Sequence, residues 1–218
     1  MSFDAVVFDM DGVIFDSETK VIECWQEIAV RHNIPGIEAA CHKCLGLNYQ
    51  ATRERMLARY GRDFPYDRYK KEMSDLFHSR YDDGRLPLKP GVRELLSFLK
   101  EHGKKIALAS STGRAAVTRE LQDAGLYEYF DQVVCGDMVA HSKPAPDIFA
   151  KACELLDVNA PHAYGIEDSY NGIRSAHAAG LLPVMVPDQA PPTAEMEHLS
   201  EVILPDLYAV REYLLQRL

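Results

Sequence analysis

Residues 5–13 have the sequence AVVFDMDGV, four apolar residues followed directly by Asp9, Met10, Asp11 and Gly12. An unbroken run of small, β-branched and aromatic residues is typical of a strand that is buried on both faces, as in a parallel sheet covered by helices. Polar residues at the carboxyl end of such a strand lie where open α/β sheets bind their ligands. This stretch therefore predicts a fold class and the position of a functional site.

Similar short apolar runs recur along the chain, with helical patterns between them. The predicted strands cover residues 5–8, 105–109, 132–135, 163–166, 183–186 and 202–204. The predicted core helices cover residues 92–101, 114–124, 147–156 and 170–179, and most of them are followed by a glycine, as helices commonly are. Regular alternation of strands and helices predicts an α/β fold with a doubly wound parallel sheet.

The segment between the first two strands breaks this alternation. It contains helical patterns at residues 18–32, 50–60 and 66–81 and no convincing strand. A parallel crossover needs only about a dozen residues, so a helical segment of about 70 residues must form a unit of its own. We therefore predict an inserted all-helical cap domain at residues 16–88, and a Rossmann-like core at residues 1–15 and 89–218.

Composition and charge argue against several classes of function. Hydrophobic residues make up 47% and charged residues 26% of the chain, as in globular proteins, and the formal net charge of −9 disfavours binding to nucleic acid or anionic membranes. The sequence has neither a run of 18 apolar residues nor a basic N-terminal region followed by an apolar segment. We expect a cytoplasmic monomer that acts on a small molecule, without nucleic acid or membrane partners.

Polar groups follow four of the predicted strands. They are Asp9 and Asp11 after the first strand, Ser110 and Ser111 after the second, Lys143 downstream of the third, and Glu167 and Asp168 after the fourth. Because parallel strands end at one edge of a sheet, these groups are expected to converge on one crevice. Taken singly, each group could be a helix cap or a solvated charge, but four such groups in order favour a catalytic site.

The same stretches resemble the motifs of a known family. FDMDGVIFDS, ALASST, KPAP and GIEDS, which begin at Phe8, Ala107, Lys143 and Gly165, resemble the four motifs of the haloacid dehalogenase-like superfamily in the same order. The resemblance covers residues 4–17 and 89–187, and the cap is similar only in position and helical character. It implies a Mg²⁺-dependent phosphotransferase of the helical-cap subfamily that contains β-phosphoglucomutases and phosphatases.

The resemblance also implies a role for each catalytic residue. Asp9 would be the nucleophile that forms an aspartyl-phosphate, and Asp11 would act as general acid and then as general base. Lys143 would supply fixed positive charge. Ser110, with the backbone around Ser111, would bind phosphate oxygens beside a helix N-terminus.

The metal and the remaining phosphate contacts are implied in the same way. Mg²⁺ would be held by Asp9, Asp168 and the backbone carbonyl of Asp11, with Glu167 as a further ligand or a supporting residue. The backbone of Gly12 would add a phosphate contact. In the cap, the loop from Gly46 to Tyr49 would contact the leaving group.

The reaction type is narrowed by residues near these motifs. Asp11 favours phosphoryl chemistry, because the dehalogenating members lack an Asp two residues after the nucleophile. β-Phosphoglucomutases carry an Arg in the cap loop where this chain has Tyr49, and a His shortly after the first motif where this chain has none. Phosphatase is therefore the favoured activity. Sugar-phosphate mutase remains an alternative, with Arg53 or Arg55 as substitutes for the missing Arg, and a catalytically idle ligand-binding homologue is a third.

Overall fold

The computed structural model describes residues 3–45, 47 and 49–218, and within them it contains six strands and ten α-helices, besides three short 3-10 helices. The strands are β1 Ala5–Phe8, β2 Lys105–Ser110, β3 Gln132–Cys135, β4 Ala163–Glu167, β5 Leu182–Met185 and β6 Val202–Ile203. The helices are α1 Ser17–His32, α2 Ile37–His42, α3 Tyr49–Tyr60, α4 Tyr66–Tyr81, α5 Val92–Glu101, α6 Arg114–Asp123, α7 Asp147–Leu156, α8 Tyr170–Ala178, α9 Ala194–Leu199 and α10 Leu207–Leu215. Every predicted element is present within one residue at either end, whereas α2, α9 and α10 have no predicted counterpart.

All six strands are parallel and lie in the order β3-β2-β1-β4-β5-β6. Val7 of β1 lies opposite Ala107 of β2 on one side and Gly165 of β4 on the other. The predicted doubly wound parallel sheet is therefore confirmed. Because the strand order reverses between β1 and β4, the crevice beyond the ends of these two strands is the position where such sheets bind ligands.

Helices cover both faces of the sheet, which explains the continuous apolar strands. On β1, Val6 and Phe8 pack into a cluster with α5 and α10, while Ala5 and Val7 pack into a second cluster with α7 and α8. Successive side chains of a strand point to opposite faces, so a strand between two helical layers has to be apolar at every position.

Helices α1 to α4 form a separate helical cap with its own core. Trp25 stacks on Tyr66 with ring centroids 6.0 Å apart, and Met56 and Met73 are buried beside them. The predicted all-helical insertion is therefore confirmed. Among the described residues, no helix has both the length and the apolar character needed to cross a membrane.

The chain passes between core and cap at two points that lie side by side. The backbone amide of Asp16 donates to the carbonyl of Pro87 at 2.9 Å, and the amide of Lys89 donates to the carbonyl of Ile14, also at 2.9 Å. We propose these hydrogen-bonded crossings as the boundaries between residues 15 and 16 and between residues 88 and 89.

Candidate active site

Lys143 joins the ends of three strands. Its Nζ donates hydrogen bonds to Asp9 Oδ1 after β1 at 2.5 Å, to Glu167 Oε1 at the end of β4 at 2.6 Å, and to the carbonyl of Ala109 in β2 at 2.9 Å. The Lys143 side chain is only 8% exposed. The structure therefore brings together groups that are up to 158 residues apart in sequence, since Asp9 and Glu167 share one ammonium group.

Burial shapes the charges in this cluster. Burial opposes the charge of Lys143, but Asp9 and Glu167 raise the pKa of Lys143 above its ordinary value. Burial also raises the pKa of Asp9 to about 7, against the opposing effect of Lys143. The pKa of Asp168 is raised well above its ordinary value by burial and by neighbouring carboxylates. The cluster therefore contains more carboxylates than its one ammonium group can neutralise.

The carboxylates of this cluster fit a divalent metal ion. One oxygen from each of Asp9, Glu167 and Asp168 lies within 4.8 Å of the others, and oxygen donors suit hard divalent cations. Gly12 allows the close approach of Asp168: a Cβ at Gly12 would lie 2.3 Å from Asp168 Oδ2, and φ at this position is +80°. A second cation among these groups would offset the excess negative charge.

Glu167 is held by more contacts than any other acid of the cluster. Its Oε1 accepts from Lys143, while its Oε2 accepts from the Ser169 amide at 3.2 Å and the Ser169 hydroxyl at 3.0 Å. The side chain is completely buried, and a Cβ at Gly172 would lie 1.8 Å from its carboxyl carbon. A glycine at the start of α8 is thus needed for the helix to lie against this carboxylate.

The side chain of Asp11 points to hydroxyl groups. Asp11 Oδ1 accepts from Ser17 Oγ at 2.7 Å, and Asp11 Oδ2 accepts from Thr112 Oγ1 at 3.1 Å. Among the described residues, Asp11 does not contribute a carboxylate oxygen to either acidic cluster. Its carboxylate is therefore oriented separately from that of Asp9.

The two serines after β2 differ in their exposure. Ser110 is completely buried and its Oγ accepts from the amide of Thr112 at 3.1 Å, whereas Ser111 is exposed and lines the cavity with Thr112. Gly113 precedes α6, so the N-terminus of that helix begins beside these residues.

A cavity of about 620 Å³ lies between the strand ends and the cap. Its core side includes Asp9, Asp11, Ser111, Lys143 and Asp168. Its cap side is mainly apolar and includes Trp25, Met56, Tyr66, Met73 and Phe77. A cavity of this size accommodates a small metabolite, with its polar end at the strand ends and its remainder against the cap.

The cap residues named from the sequence fall in different places. Tyr49 lines the cavity, and its hydroxyl donates to Asp67. Gly46 lies outside the described residues. Arg53 pairs with Asp67 at 3.1 Å, and neither Arg53 nor Arg55 is among the described residues that line the cavity.

Comparison with known proteins identifies the family. The family model described as haloacid dehalogenase-like hydrolase matches residues 6–186, which include the ends of β1, β2 and β4 that form the site. This chain belongs to the haloacid dehalogenase-like hydrolase family.

Several relatives of this haloacid dehalogenase-like hydrolase are phosphatases or mutases by name. It is 32% identical to the phosphorylated carbohydrates phosphatase of Thermotoga maritima over 82% of each chain. It is also 32% identical to the beta-phosphoglucomutase of Bacillus subtilis, over 84% of this chain and 82% of that protein. The crystal structure of CbbY from Rhodobacter sphaeroides in complex with phosphate superimposes with a TM-score of 0.72 at 26% identity, covering 94% of this chain and 95% of that one.

The structure of this hydrolase also brings residues to the site that had no assigned site role in the sequence. Ser17, at the start of α1, donates its hydroxyl to Asp11. Glu18 and Asp188 each place a carboxylate oxygen within 4.8 Å of one another and of Asp168. Asp188 follows β5, so the rule that polar groups gather at strand ends could have identified it. Glu18 lies within a helix, where a single carboxylate carries no such signal.

Proposed function

We propose that this hydrolase cleaves phosphate monoesters of a small metabolite, with Mg²⁺ bound, through a phosphoenzyme intermediate on Asp9. A sugar phosphate is one candidate substrate. The observation that carries the proposal is the placement of Asp9, Lys143 and Asp168 together at the floor of the cavity. A nucleophilic carboxylate between a fixed ammonium and a cation site is suited to the attack on a phosphoryl group.

In the first step, an Asp9 carboxylate oxygen forms a bond to phosphorus and the bond from phosphorus to the ester oxygen breaks. Asp11 donates its proton to the departing alkoxide, which leaves as an alcohol. In the second step, water attacks phosphorus while Asp11 accepts a proton from it, and the bond to Asp9 breaks. The balance is one ester and one water converted to one alcohol and one phosphate, with Asp9 and Asp11 restored.

Mg²⁺ would be held by Asp9, Asp168 and the backbone carbonyl of Asp11. When bound, it supplies positive charge that reduces the repulsion between the carboxylates and the phosphate. Because both oxygens of Glu167 already accept hydrogen bonds within the protein, we propose that Glu167 mainly holds Lys143 in position.

The phosphate oxygens would be bound by groups on the core side of the cavity. Ser111 lines the cavity two residues before Gly113, which precedes α6, and the backbone of Gly12 adjoins Asp168. The buried Ser110 would contribute by fixing the loop through the amide of Thr112. Tyr49 would contact the leaving group from the cap.

The similarity to the Bacillus subtilis beta-phosphoglucomutase keeps a mutase as the second candidate. A phosphate-release screen over a panel of phosphate monoesters, with Mg²⁺ and with EDTA, distinguishes the two. We expect Mg²⁺-dependent phosphate release. Interconversion of glucose 1-phosphate and glucose 6-phosphate without net phosphate release would instead establish the mutase.

A catalytically idle homologue would behave differently from both enzymes. It would be stabilised against heat by Mg²⁺ with fluoroberyllate and would turn over none of the esters. The intact set of Asp9, Asp11, Lys143 and Asp168 supports an active enzyme. The monomeric state and the cytoplasmic location remain predictions.

A further inference from the structure

One face of α4 forms part of the cavity wall. The residues on this face that line the cavity are Tyr66, Lys70, Met73, Ser74 and Phe77. Their spacing of three and four residues places them on one side of a helix. Lys70 is the charged member of this set. The next residue, Lys71, is exposed and pairs with Asp75 at 2.7 Å.

Lys70 differs from the other basic groups of the cavity. Lys143 is paired with Asp9 and Glu167, and His78 Nδ1 lies 2.9 Å from Asp82 Oδ1. Within residues 3–45, 47 and 49–218, the structure gives Lys70 no ion pair and no hydrogen bond from its side chain. Burial lowers the pKa of Lys70 below its ordinary value. Lys70 is therefore a partly desolvated cation whose charge the surrounding chain does not offset.

Such a cation has an energetic cost that an anionic ligand would remove. A partly buried ammonium loses hydrogen bonds to water, and apolar side chains such as Met73 and Phe77 on the same helix face offer none to replace them. The attraction between Lys70 and an anion is strengthened by the same apolar surroundings. In a chain with a net charge of −9, a cation left unpaired inside the cavity is well suited to hold an acidic group of the substrate.

We propose that Lys70 binds an acidic group of the substrate remote from the phosphate that is cleaved. The preferred substrates would then be phosphate monoesters with a second acidic group, either a carboxylate or a second phosphate. This inference rests on the proposed function, since it places the cleaved phosphate at Asp9 and Lys143 and the second acidic group at the cap. Lys70 would act on specificity through binding and would take no part in the proton transfers.

The experiment compares matched pairs of esters that differ in the second acidic group. One pair is 3-phosphoglycerate and glycerol 3-phosphate, which tests a carboxylate, and the other is fructose 1,6-bisphosphate and fructose 6-phosphate, which tests a second phosphate. Wild type is compared with Lys70→Met, Lys70→Arg and the control Lys71→Met. Steady-state kcat and KM are measured for all four esters.

We expect Lys70→Met to raise KM at least about ten-fold for the preferred diacidic ester, with kcat nearly unchanged. The reason is that the loss of one hydrogen bond between charged groups weakens affinity by about this factor. The KM of the matched ester that lacks the second acidic group should stay within about two-fold. Lys70→Arg should retain the preference, and Lys71→Met should behave as wild type. The pair in which only the diacidic ester changes its KM identifies the group bound by Lys70 as a carboxylate or as a second phosphate.

An equal KM change for both members of each pair would overturn the inference, because Lys70 would then bind hydroxyl groups or have only a structural role. No change in any KM would overturn it as well. Both results leave phosphate release by the wild type intact. If the wild type released phosphate from no ester, the proposed function would fail instead. Calorimetric binding of the same pairs to wild type and Lys70→Met then tests Lys70 alone, and equal affinities for both proteins would reject it.

Discussion

The hydroxyl of Ser17 donates a 2.7 Å hydrogen bond to the carboxylate of Asp11. Asp11 belongs to the loop after β1, whereas Ser17 is the first residue of α1, the first helix of the cap. Thr112, which follows β2, donates to the other oxygen of the same carboxylate at 3.1 Å. The proposed acid–base residue is thus oriented from the core and from the start of the cap together.

Replacement of Ser17 is expected to slow the chemical step. Ser17→Ala removes one of two hydroxyls that orient Asp11, so kcat should fall by about ten-fold while KM changes by less than about two-fold. Steady-state phosphate release measures both constants. Ser79→Ala is the matched control, since Ser79 is exposed on α4 and donates only to the backbone of the same helix. An unchanged kcat for Ser17→Ala would show that Thr112 alone orients Asp11.

Replacement of Asp9 is expected to abolish turnover. Asp9→Asn retains the size of the side chain but removes the nucleophilic carboxylate, and loss of a nucleophile costs several orders of magnitude in rate. Activity should fall below about 1% of wild type, while binding of inorganic phosphate, followed by calorimetry, persists. Asp4→Asn, at an exposed position, is the control. Higher residual activity in Asp9→Asn would point to a different nucleophile.

Replacement of Lys143 is expected to destabilise the protein in a pH-dependent way. Lys143→Met leaves Asp9 and Glu167 without their shared cation, and breaking a buried pair costs about 3 kcal/mol or more. Because the pKa of Asp9 is already raised to about 7, its protonation at lower pH relieves the repulsion. The loss in unfolding free energy should therefore be larger at pH 8 than at pH 5.

Urea denaturation at these two pH values measures the effect. Lys151→Met is the control, because Lys151 pairs with an exposed Glu154 and surface pairs contribute about 1 kcal/mol or less. A loss for Lys143→Met that grew as the pH fell would contradict the assignment of Lys143 as the partner of ionised Asp9.

Removal of the metal is expected to abolish activity and to lower the stability of the folded protein. A ligand at 100 times its dissociation constant stabilises the folded state by about 2.7 kcal/mol, so Mg²⁺ should raise the melting temperature of the EDTA-treated wild type. In Asp168→Asn this response should disappear. Since the pKa of Asp168 is raised well above its ordinary value, loss of its charge should leave the metal-free protein no less stable at pH 8. Asp63→Asn, at an exposed position, should respond to Mg²⁺ as wild type does.

The raised pKa of Glu120 leads to a separate prediction, that the stability of the protein depends on pH through this residue. It lines the cavity, and burial, with a further contribution from Asp11, raises its pKa from 4.5 to about 7. The folded state therefore binds the proton more tightly than the unfolded state, and the contribution of Glu120 to stability falls as the pH rises from about 4.5 to 7. Relative to wild type, Glu120→Gln should gain on the order of 1 kcal/mol between pH 4.5 and pH 8, after allowance for partial solvent exposure.

Chemical denaturation at both pH values measures this gain. Glu101→Gln, at an exposed position on α5, controls for the loss of one carboxylate. A difference between Glu120→Gln and wild type that did not vary with pH would show that Glu120 ionises normally in the folded protein.

The fold could be predicted closely from local sequence signals. The buried strand β1 has an apolar residue at every position, and α7 begins just after Pro146 and ends at Leu156, as its pattern predicts. Helix α2 was missed because it has only six residues, too few to show a helical period. For the site, the strand-end rule predicted that Asp9, Lys143 and Glu167 would meet, and their contacts in the structure agree.

Local signals in the sequence are sufficient to predict the parallel sheet, the helical insertion, and the acids, lysine and hydroxyls at the strand ends. Each of these depends on neighbouring residues and on the common direction of parallel strands. The three-dimensional structure was needed to show that Ser17 binds Asp11 and that Glu18 and Asp188 approach Asp168. It also shows that Lys70 lines the cavity and that, among the described residues, it has no ion pair. These relationships depend on how the cap packs over the core. That packing is set by contacts between residues far apart in the chain, to which local periodicity and spacing are not sensitive.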